Sequence, residues 1–324
     1  MLKNTLKVLD FIYENHSSRR FSFINVDNYI DYVFLCGKKL TPGDNRHFIS
    51  EHILPKAGSY ALFSETLYQE FAPLNYDLLT IEEILLSIST GTVIIVESFG
   101  SACELGAFSF VGENIDKLWV INDIVRKNDG SFISDGPIKK IETAYPEHVM
   151  YLNFNKEGIA DFDTNAINKL ISLKRTSFKR CPLDFDASTK TCTINDLGFV
   201  CCLLFDYVRT FGMIAKDEVF DVLIGINKAR DVEKLRIKPP STNPIENQET
   251  IKTILIKMLA VLEKSHLLVL KKRNKCDYYV LNYQTIQPSS FTSFIFKTNF
   301  FNYSFQKSLS KIKNAFIQEG FELW

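Results

Sequence analysis

The stretch from Thr92 to Ser109 restricts this chain more than any other segment. Val93, Ile94, Ile95 and Val96 are consecutive and apolar. A strand with one wet face alternates, whereas an unbroken apolar run suits a strand covered on both faces. Beyond it come Gly100, a turn, and a helix expected over Cys103 to Val111 that carries Glu104 in its first turns. A covered strand followed at once by a helix is one unit of a parallel α/β sheet. In open sheets of this class, ligands bind beyond the carboxyl ends of the strands. Glu104 is placed where a ligand is met.

The alternation of strand and helix extends over about the first 155 residues. Leu2, Leu6, Leu9 and Ile12 have helical spacing. Asp31 to Cys36 reads as a strand closed by Gly37, 44–55 as a helix, and Ala61 to Phe63 as a strand. Ile81 to Ser89 reads as a helix with Thr80 as N-cap. Thr92 to Val96, Lys117 to Ile121 and Val149 to Leu152 complete the strands. Past Asn155 the composition shifts. Helical stretches are expected over 163–180, 195–210, 216–230 and Glu249 to Lys264, with a three-proline loop from Lys238 to Asn247. His266 to Leu281 reads as a hairpin with a basic turn. Helices followed by a charged hairpin are the order of a winged helix. The expected fold is α/β: a doubly wound parallel sheet, then a mostly α winged-helix domain. The expected boundaries are a leading helix (1–24), the sheet domain (25–160), the winged-helix-like domain (161–290) and a Phe-rich tail (291–324).

Composition narrows the function classes. Lys plus Arg and Asp plus Glu are equal at 38 each, so any affinity for nucleic acid has to come from a local patch. Seven cysteines without a CxxC pair suit reduced thiols and a cytoplasmic protein better than a disulfide framework. The histidines and cysteines lack metal-ligand spacing, so no metal is expected. The N-terminal residues lack a signal-peptide pattern, and no apolar run approaches the roughly 20 residues of a membrane span.

Glu104 has two readings. Ser101 and Glu104 fit S-x-x-E, a capping box that would make the acid structural. Alternatively, the buried strand before it, the close approach that Gly100 permits and the slim helix face at Gly106 and Ala107 make it a reactive carboxylate. The helix N-terminus also favours anions. Other candidates surround it. Gly37, with Lys38 and Lys39, follows the first strand; Arg46 can clamp phosphate; Glu65 and Glu97 can hold ribose hydroxyls. In the hairpin, Lys271, Lys272, Arg273 and Lys275 form a basic tip suited to phosphate contacts. At most one of Tyr278 and Tyr279 can stack on a base, because they face opposite ways.

The run Glu97-Ser-Phe-Gly-Ser-Ala-Cys-Glu-Leu-Gly-Ala-Phe-Ser109 resembles the active-site stretch of nucleoside 2-deoxyribosyltransferase-like domains. It is especially similar to the toxic effectors of type II retrons. The resemblance extends to Tyr32 to Gly37, Arg46 and His47, Leu78 to Leu86, and Ser131 to Pro137. It implies Glu104 as a covalent nucleophile on an anomeric carbon, with a glycosyl-enzyme resolved by water or an acceptor. Carried over as substrate-binding positions are Gly37, Arg46, Glu65, Glu97, Ser98, Gly100, Ser101, Ser134 and Gly136; the family has Asn where Ser134 stands. Deoxyribosyltransferases also carry two aspartates, where this chain has Thr90 and Ser98. Such acids protonate or orient a departing neutral base. Nicotinamide leaves NAD as a neutral molecule and needs no acid, and the effector resemblance likewise implies NAD as substrate, with no cofactor. It further implies restraint by a reverse transcriptase and its msDNA, an RNA–DNA hybrid, and a homo-oligomer. The alternatives are a nucleoside or nucleotide deoxyribosyltransferase or hydrolase, and a non-catalytic nucleotide-sensing DNA-binding regulator.

Overall fold

The computed structural model describes residues 3–17, 31–38, 43–71, 77–110, 112–155, 158–159, 164–171, 183–227, 231–238, 243–273, 275–284 and 303–323. The chain divides into two compact units. One comprises Ile30–Glu65 and Leu78–Thr176; the other comprises Met1–Tyr29, Thr66–Asp77 and Ser177–Trp324. The first helix, α1 (Lys3–Ser17), belongs to the latter.

The sheet unit is built on β1 (Tyr32–Cys36), β2 (Tyr60–Leu62), β3 (Gly91–Ile95), β4 (Leu118–Asp123) and β5 (Val149–Leu152). They pair in parallel in the order β2-β1-β3-β4-β5. All five expected strands are present, each a short apolar run, and β1 and β3 are buried along their whole length. Alternation along each strand sends Val33, Leu35, Val93, Ile95 and Ile121 to one face. There they pack with Ile49, Ile53 and Leu54, and with Ala166 and Leu170 of α8 (Thr164–Ile171). The covering segment is α2 (Asn45–Phe48) and α3 (Leu54–Ala57), bridged by a wider turn over Ile49–Ile53. Phe34 and Cys36 point to the other face, where Phe34 meets Phe108 at 6.2 Å between ring centroids. That face carries α5 (Leu78–Ile88), which follows α4 (Ser64–Phe71), and α6 (Phe99–Phe110); α7 (Lys139–Ala144) comes after β4. Winding reverses between β1 and β3, and the carboxyl ends of those two strands form the crevice in which such sheets bind ligands.

Two helix starts differ from expectation. α5 begins at Leu78, so Thr80 lies inside it and is not its cap. α6 begins at Phe99, four residues before the expected Cys103. Among the described residues, no helix is long and apolar enough to cross a membrane.

In the second unit, a two-residue ladder in the connecting chain (β6, Phe154–Asn155; β7, Gly158–Ile159) precedes the strands β8 (Leu183–Asp186) and β9 (Thr191–Ile194) in sequence, though it falls in the sheet unit. α9 (Leu197–Phe211) is capped by Asp196 and is almost wholly buried. It leads through β10 (Met213–Ala215) to α10 (Val219–Asn227), β11 (Lys234–Ile237) and α11 (Gln248–Lys264). The hairpin β12 (Leu268–Arg273) and β13 (Cys276–Leu281) follows, in a sheet of order β10-β13-β12. Leu255, Met258, Leu259 and Leu262 of α11 are buried, as their spacing implies. α1 lays Leu9 against Gly225 of α10 and Phe11 against Phe211 of α9. It is thus integral to this unit's core. The Phe-rich residues 291–302 lie outside the described residues, but α12 (Tyr303–Gln318) is a helix whose Leu309, Ile312 and Phe316 are buried.

Candidate active site

β1 ends at Cys36 and β3 is followed by Val96 and Glu97, so the residues after these strands meet at the switch point. Gly37 is needed there. A Cβ at that position would stand 2.9 Å from Glu97 Oε1 and 3.2 Å from the Arg46 side chain. Its close approach is to the protein's own carboxylate. Glu97 Oε1 accepts from the Lys38 backbone N–H (3.2 Å) and Oε2 from Asn45 Nδ2 (2.8 Å), which ties the β1 loop to the end of β3. Glu97, expected to face a ribose, is committed to this brace.

The start of α6 bears on the capping reading of Glu104. Ser98 precedes the helix, and its Oγ accepts from the Ser101 N–H at 3.1 Å. Ser101 Oγ in turn accepts from the Ser98 N–H at 3.1 Å. This is a reciprocal capping box with serine at both ends. Ser101 is therefore the fourth box position and not the cap, and Glu104, one turn further in, has no capping role. The two serines expected to touch substrate are engaged with each other. Ser98→Ala is expected to cost about 1 kcal/mol of stability. A urea midpoint that falls at constant slope would register the loss, and an unmoved midpoint would argue against the cap.

Freed from capping, Glu104 projects toward β1 and α5. It is hydrogen-bonded to Cys36 and to Glu82 of α5. Its Oε2 is buried and has no hydrogen-bond partner among the described residues. Burial raises the Glu104 carboxyl above the usual range, while bonds from Glu82 and Cys36 and the charge of Arg46 pull it back. Glu82 is 5% exposed, and burial, with the Glu104 charge beside it, pushes it up to about 8. A hydrogen bond between two carboxyls needs one proton, and Glu104 pushes Glu82 up while Glu82 pulls Glu104 down, so Glu82 is the side that holds it. Cys36 is raised well above the usual thiol range, first by burial and then by Glu104 and Glu82. It stays a neutral donor.

Arg46 lies beneath this pair, 2% exposed. Its guanidinium grips Glu65 with both ends, Nη2 to Oε1 at 2.6 Å and Nη1 to Oε2 at 3.2 Å, and reaches the Leu35 carbonyl at 3.4 Å. Expected as a phosphate clamp, it serves in this structure as a fixed cation that holds Glu65 and favours ionised Glu104. The remaining positions stand apart from this network. Gly100 and Gly106 meet no crowding that would demand glycine. Ser134 donates to the Arg126 carbonyl at 3.1 Å and accepts from Ser131, and a Cβ on Gly136 would meet the Phe132 ring at 3.7 Å.

Sequence reasoning missed Glu82. A signal was present: Glu82 falls between Ile81, Leu85 and Leu86, on the apolar face of α5, where an acid is out of place.

Residues 42–268, well over half of the chain, match the family of the STM3845 retron effector protein. The chain belongs to that family. It is 30% identical over 143 residues to a retron Ec73 protein of Escherichia coli named as a provisional ribosyltransferase/DNA-binding protein. That match covers 41% of this chain and 45% of the relative. A retron Ec86 protein of the same organism, named in the same way, is 28% identical over 148 residues, covering 44% of this chain and 48% of the relative. The chain thus spans about half the length of the curated relatives that it matches.

The basic hairpin lies in the other unit. Lys272 and Lys275 are exposed, whereas Lys271 donates to Glu322 at 2.9 Å and Arg273 stacks over Phe321 at 5.1 Å. Tyr278 and Tyr279 are each 2% exposed, so neither is available to stack on a base.

Proposed function

We propose that this retron effector is an N-glycosidase that cleaves the nicotinamide–ribose bond of NAD with Glu104 as nucleophile. The observation that carries the reading is the Glu104–Glu82 pair at the carboxyl edge of the sheet, in which Glu82 holds the shared proton and Glu104 has no capping role. The Glu104 carboxylate attacks the anomeric carbon as the C–N bond breaks. The bonding pair passes to the pyridinium nitrogen, and nicotinamide departs neutral. Water then opens the ester, giving ADP-ribose and restoring the carboxylate. Positive charge develops on the ribose in the transition state, and the carboxylates of Glu104, Glu65 and Glu97 favour it.

A second reading, a nucleoside or nucleotide hydrolase or deoxyribosyltransferase, is favoured by one observation. Glu82 supplies a protonated carboxyl, the acid that a neutral base requires and that Thr90 and Ser98 do not provide. A sensor without catalysis leaves Glu104 a structural role, and the Ser98–Ser101 cap does not need it.

From α9 onward the second unit runs helix, strand, helix, strand, helix, hairpin, with β10 beside β13, and we read it as winged-helix-like. Exposed Lys272 and Lys275 suit phosphate contacts with an RNA–DNA hybrid. Docking on the retron reverse transcriptase and its msDNA would restrain the toxic activity. Exposed Phe99, Phe110 and Phe132 in the sheet unit suit a homo-oligomer, as apolar patches often mark association surfaces.

The test is cleavage in aqueous methanol. A Glu104 ester intermediate gives methyl ADP-ribose with the β configuration retained; an inverted product rules the intermediate out. Base release from nucleosides or deoxynucleotides in preference to NAD would move the assignment to the second reading.

A further inference from the structure

The residues after α12 double back across the basic hairpin. Gly320 has φ +81° and ends the helix; its N–H donates to the Ile317 carbonyl at 2.7 Å, and the Phe321 N–H donates to that of Phe316 at 3.0 Å. These two bonds form a Schellman stop, which fixes the direction in which the chain leaves. Phe321 then packs edge-on against Tyr278, with ring centroids 5.1 Å apart. The Glu322 N–H donates to the Tyr278 hydroxyl at 3.3 Å. Leu323 is 2% exposed and sits against Gly212.

This segment covers half of the basic surface. Glu322 holds Lys271 (2.9 Å), and the Arg273 guanidinium lies between the Phe321 ring and Gly320. A Cβ on residue 320 would fall 2.0 Å from Arg273 Nη1, so glycine is required here for space as well as for its φ. Arg273 Nη1 is itself buried with no hydrogen-bond partner among the described residues. Lys271, Lys272, Arg273 and Tyr278 line an open hollow with Gly320 and Glu322. Three cations and a hydroxyl converge there, and the anion among the lining groups comes from the chain itself.

We infer that this hollow is a phosphodiester-binding site and that Glu322 occupies it as an internal substitute for phosphate. Lys271 meets a carboxylate as it would meet a phosphate oxygen. Arg273 keeps an unused donor for a second oxygen. The Glu322 side chain is 74% exposed, and such surface pairs are weak. A nucleic-acid backbone that engages Lys272 and Lys275 therefore displaces Glu322 readily and gains Lys271 and Arg273. The segment 320–323 then sets the affinity of the hairpin for nucleic acid. This inference rests on the reading that the hairpin contacts nucleic acid.

The experiment is fluorescence anisotropy of the full chain with a labelled RNA–DNA hybrid duplex, over a series of salt concentrations. The proteins are wild type, Glu322→Gln and Lys272→Ala. Glu322→Gln is expected to bind about two- to fivefold tighter. Its log–log salt slope should steepen by about one, for one more phosphate contact. Lys272→Ala should bind more weakly. If Lys272→Ala weakens binding but Glu322→Gln does not tighten it, the internal substitute is refuted and the nucleic-acid reading stands. If no protein binds the hybrid, or Lys272→Ala changes nothing, the nucleic-acid reading fails and the inference falls with it.

Discussion

Glu104→Gln is expected to lower nicotinamide release from NAD by at least about three orders of magnitude, the scale on which loss of a nucleophile acts. The substitution keeps the shape of the side chain, and the amide oxygen still accepts from Glu82 and Cys36. What disappears is the charge that attacks the anomeric carbon. The same charge is costly in the fold, because burial raises the Glu104 carboxyl and its presence raises Glu82 in turn. The variant should therefore melt at or above the wild-type temperature near neutral pH, as when a strained functional group is removed. The pH dependence carries a defined sign. Glu82 has a folded-state value raised from 4.5 to about 8, so its neutral form stabilises the fold fully below about 4.5. That contribution is lost as pH rises through about 8. With Gln at 104 one cause of the shift is gone, and the decline in stability across this window should be shallower. Melts from pH 5 to pH 9 on both proteins would settle it; equal slopes would mean that the two carboxyls do not interact.

Glu82→Gln separates the substrates. Glutamine still donates a hydrogen bond to Glu104, so the nucleophile keeps its partner and its charge. It has no proton to transfer. Nicotinamide needs none, and NAD cleavage should stay within about tenfold of wild type. A neutral base needs protonation as it leaves, and general acids contribute about 10²–10⁴-fold. Any cleavage of nucleosides or nucleotides by the wild type should fall by that factor. The wild-type rate on such substrates should also drop above the Glu82 value of about 8, whereas the rate on NAD should not drop there. Equal losses on both substrate classes would show that Glu82 acts through the position of Glu104 and not through its proton.

The strands of the parallel sheet were readable because each is a short apolar run, whereas β8, β9 and β11 mix charged or polar residues into theirs and were not. The hairpin and α11 were readable from equally local patterns, two β-rich runs around a basic turn and an apolar helical spacing. The site was legible only in part. Glu104 stood out from its neighbourhood, but its partner was easily passed over, since Glu82 and Glu83 are adjacent acids and only the helical face shared with Ile81, Leu85 and Leu86 marks the first. Arg46 resembles a surface residue until the fold brings Glu65 to it across 19 positions. The start of α6 was misjudged because a Ser–Ser capping box lacks the Glu or Gln that usually marks one, and Ser101 with Glu104 imitated it. The seat of Phe321 and Glu322 on the hairpin depends on a reversal at Gly320, and pairings of that range are tertiary. Leu309, Ile312 and Phe316 did carry a helical spacing that the Phe-rich composition upstream obscured.

The most direct measurement is nicotinamide release from NAD by the purified protein, alone and bound to the retron reverse transcriptase and its msDNA, with Glu104→Gln in parallel. Wild type is expected to release nicotinamide in at least one of those forms, and the variant in neither. Equal release by wild type and variant, or none from NAD while a nucleoside is cleaved, would contradict that expectation.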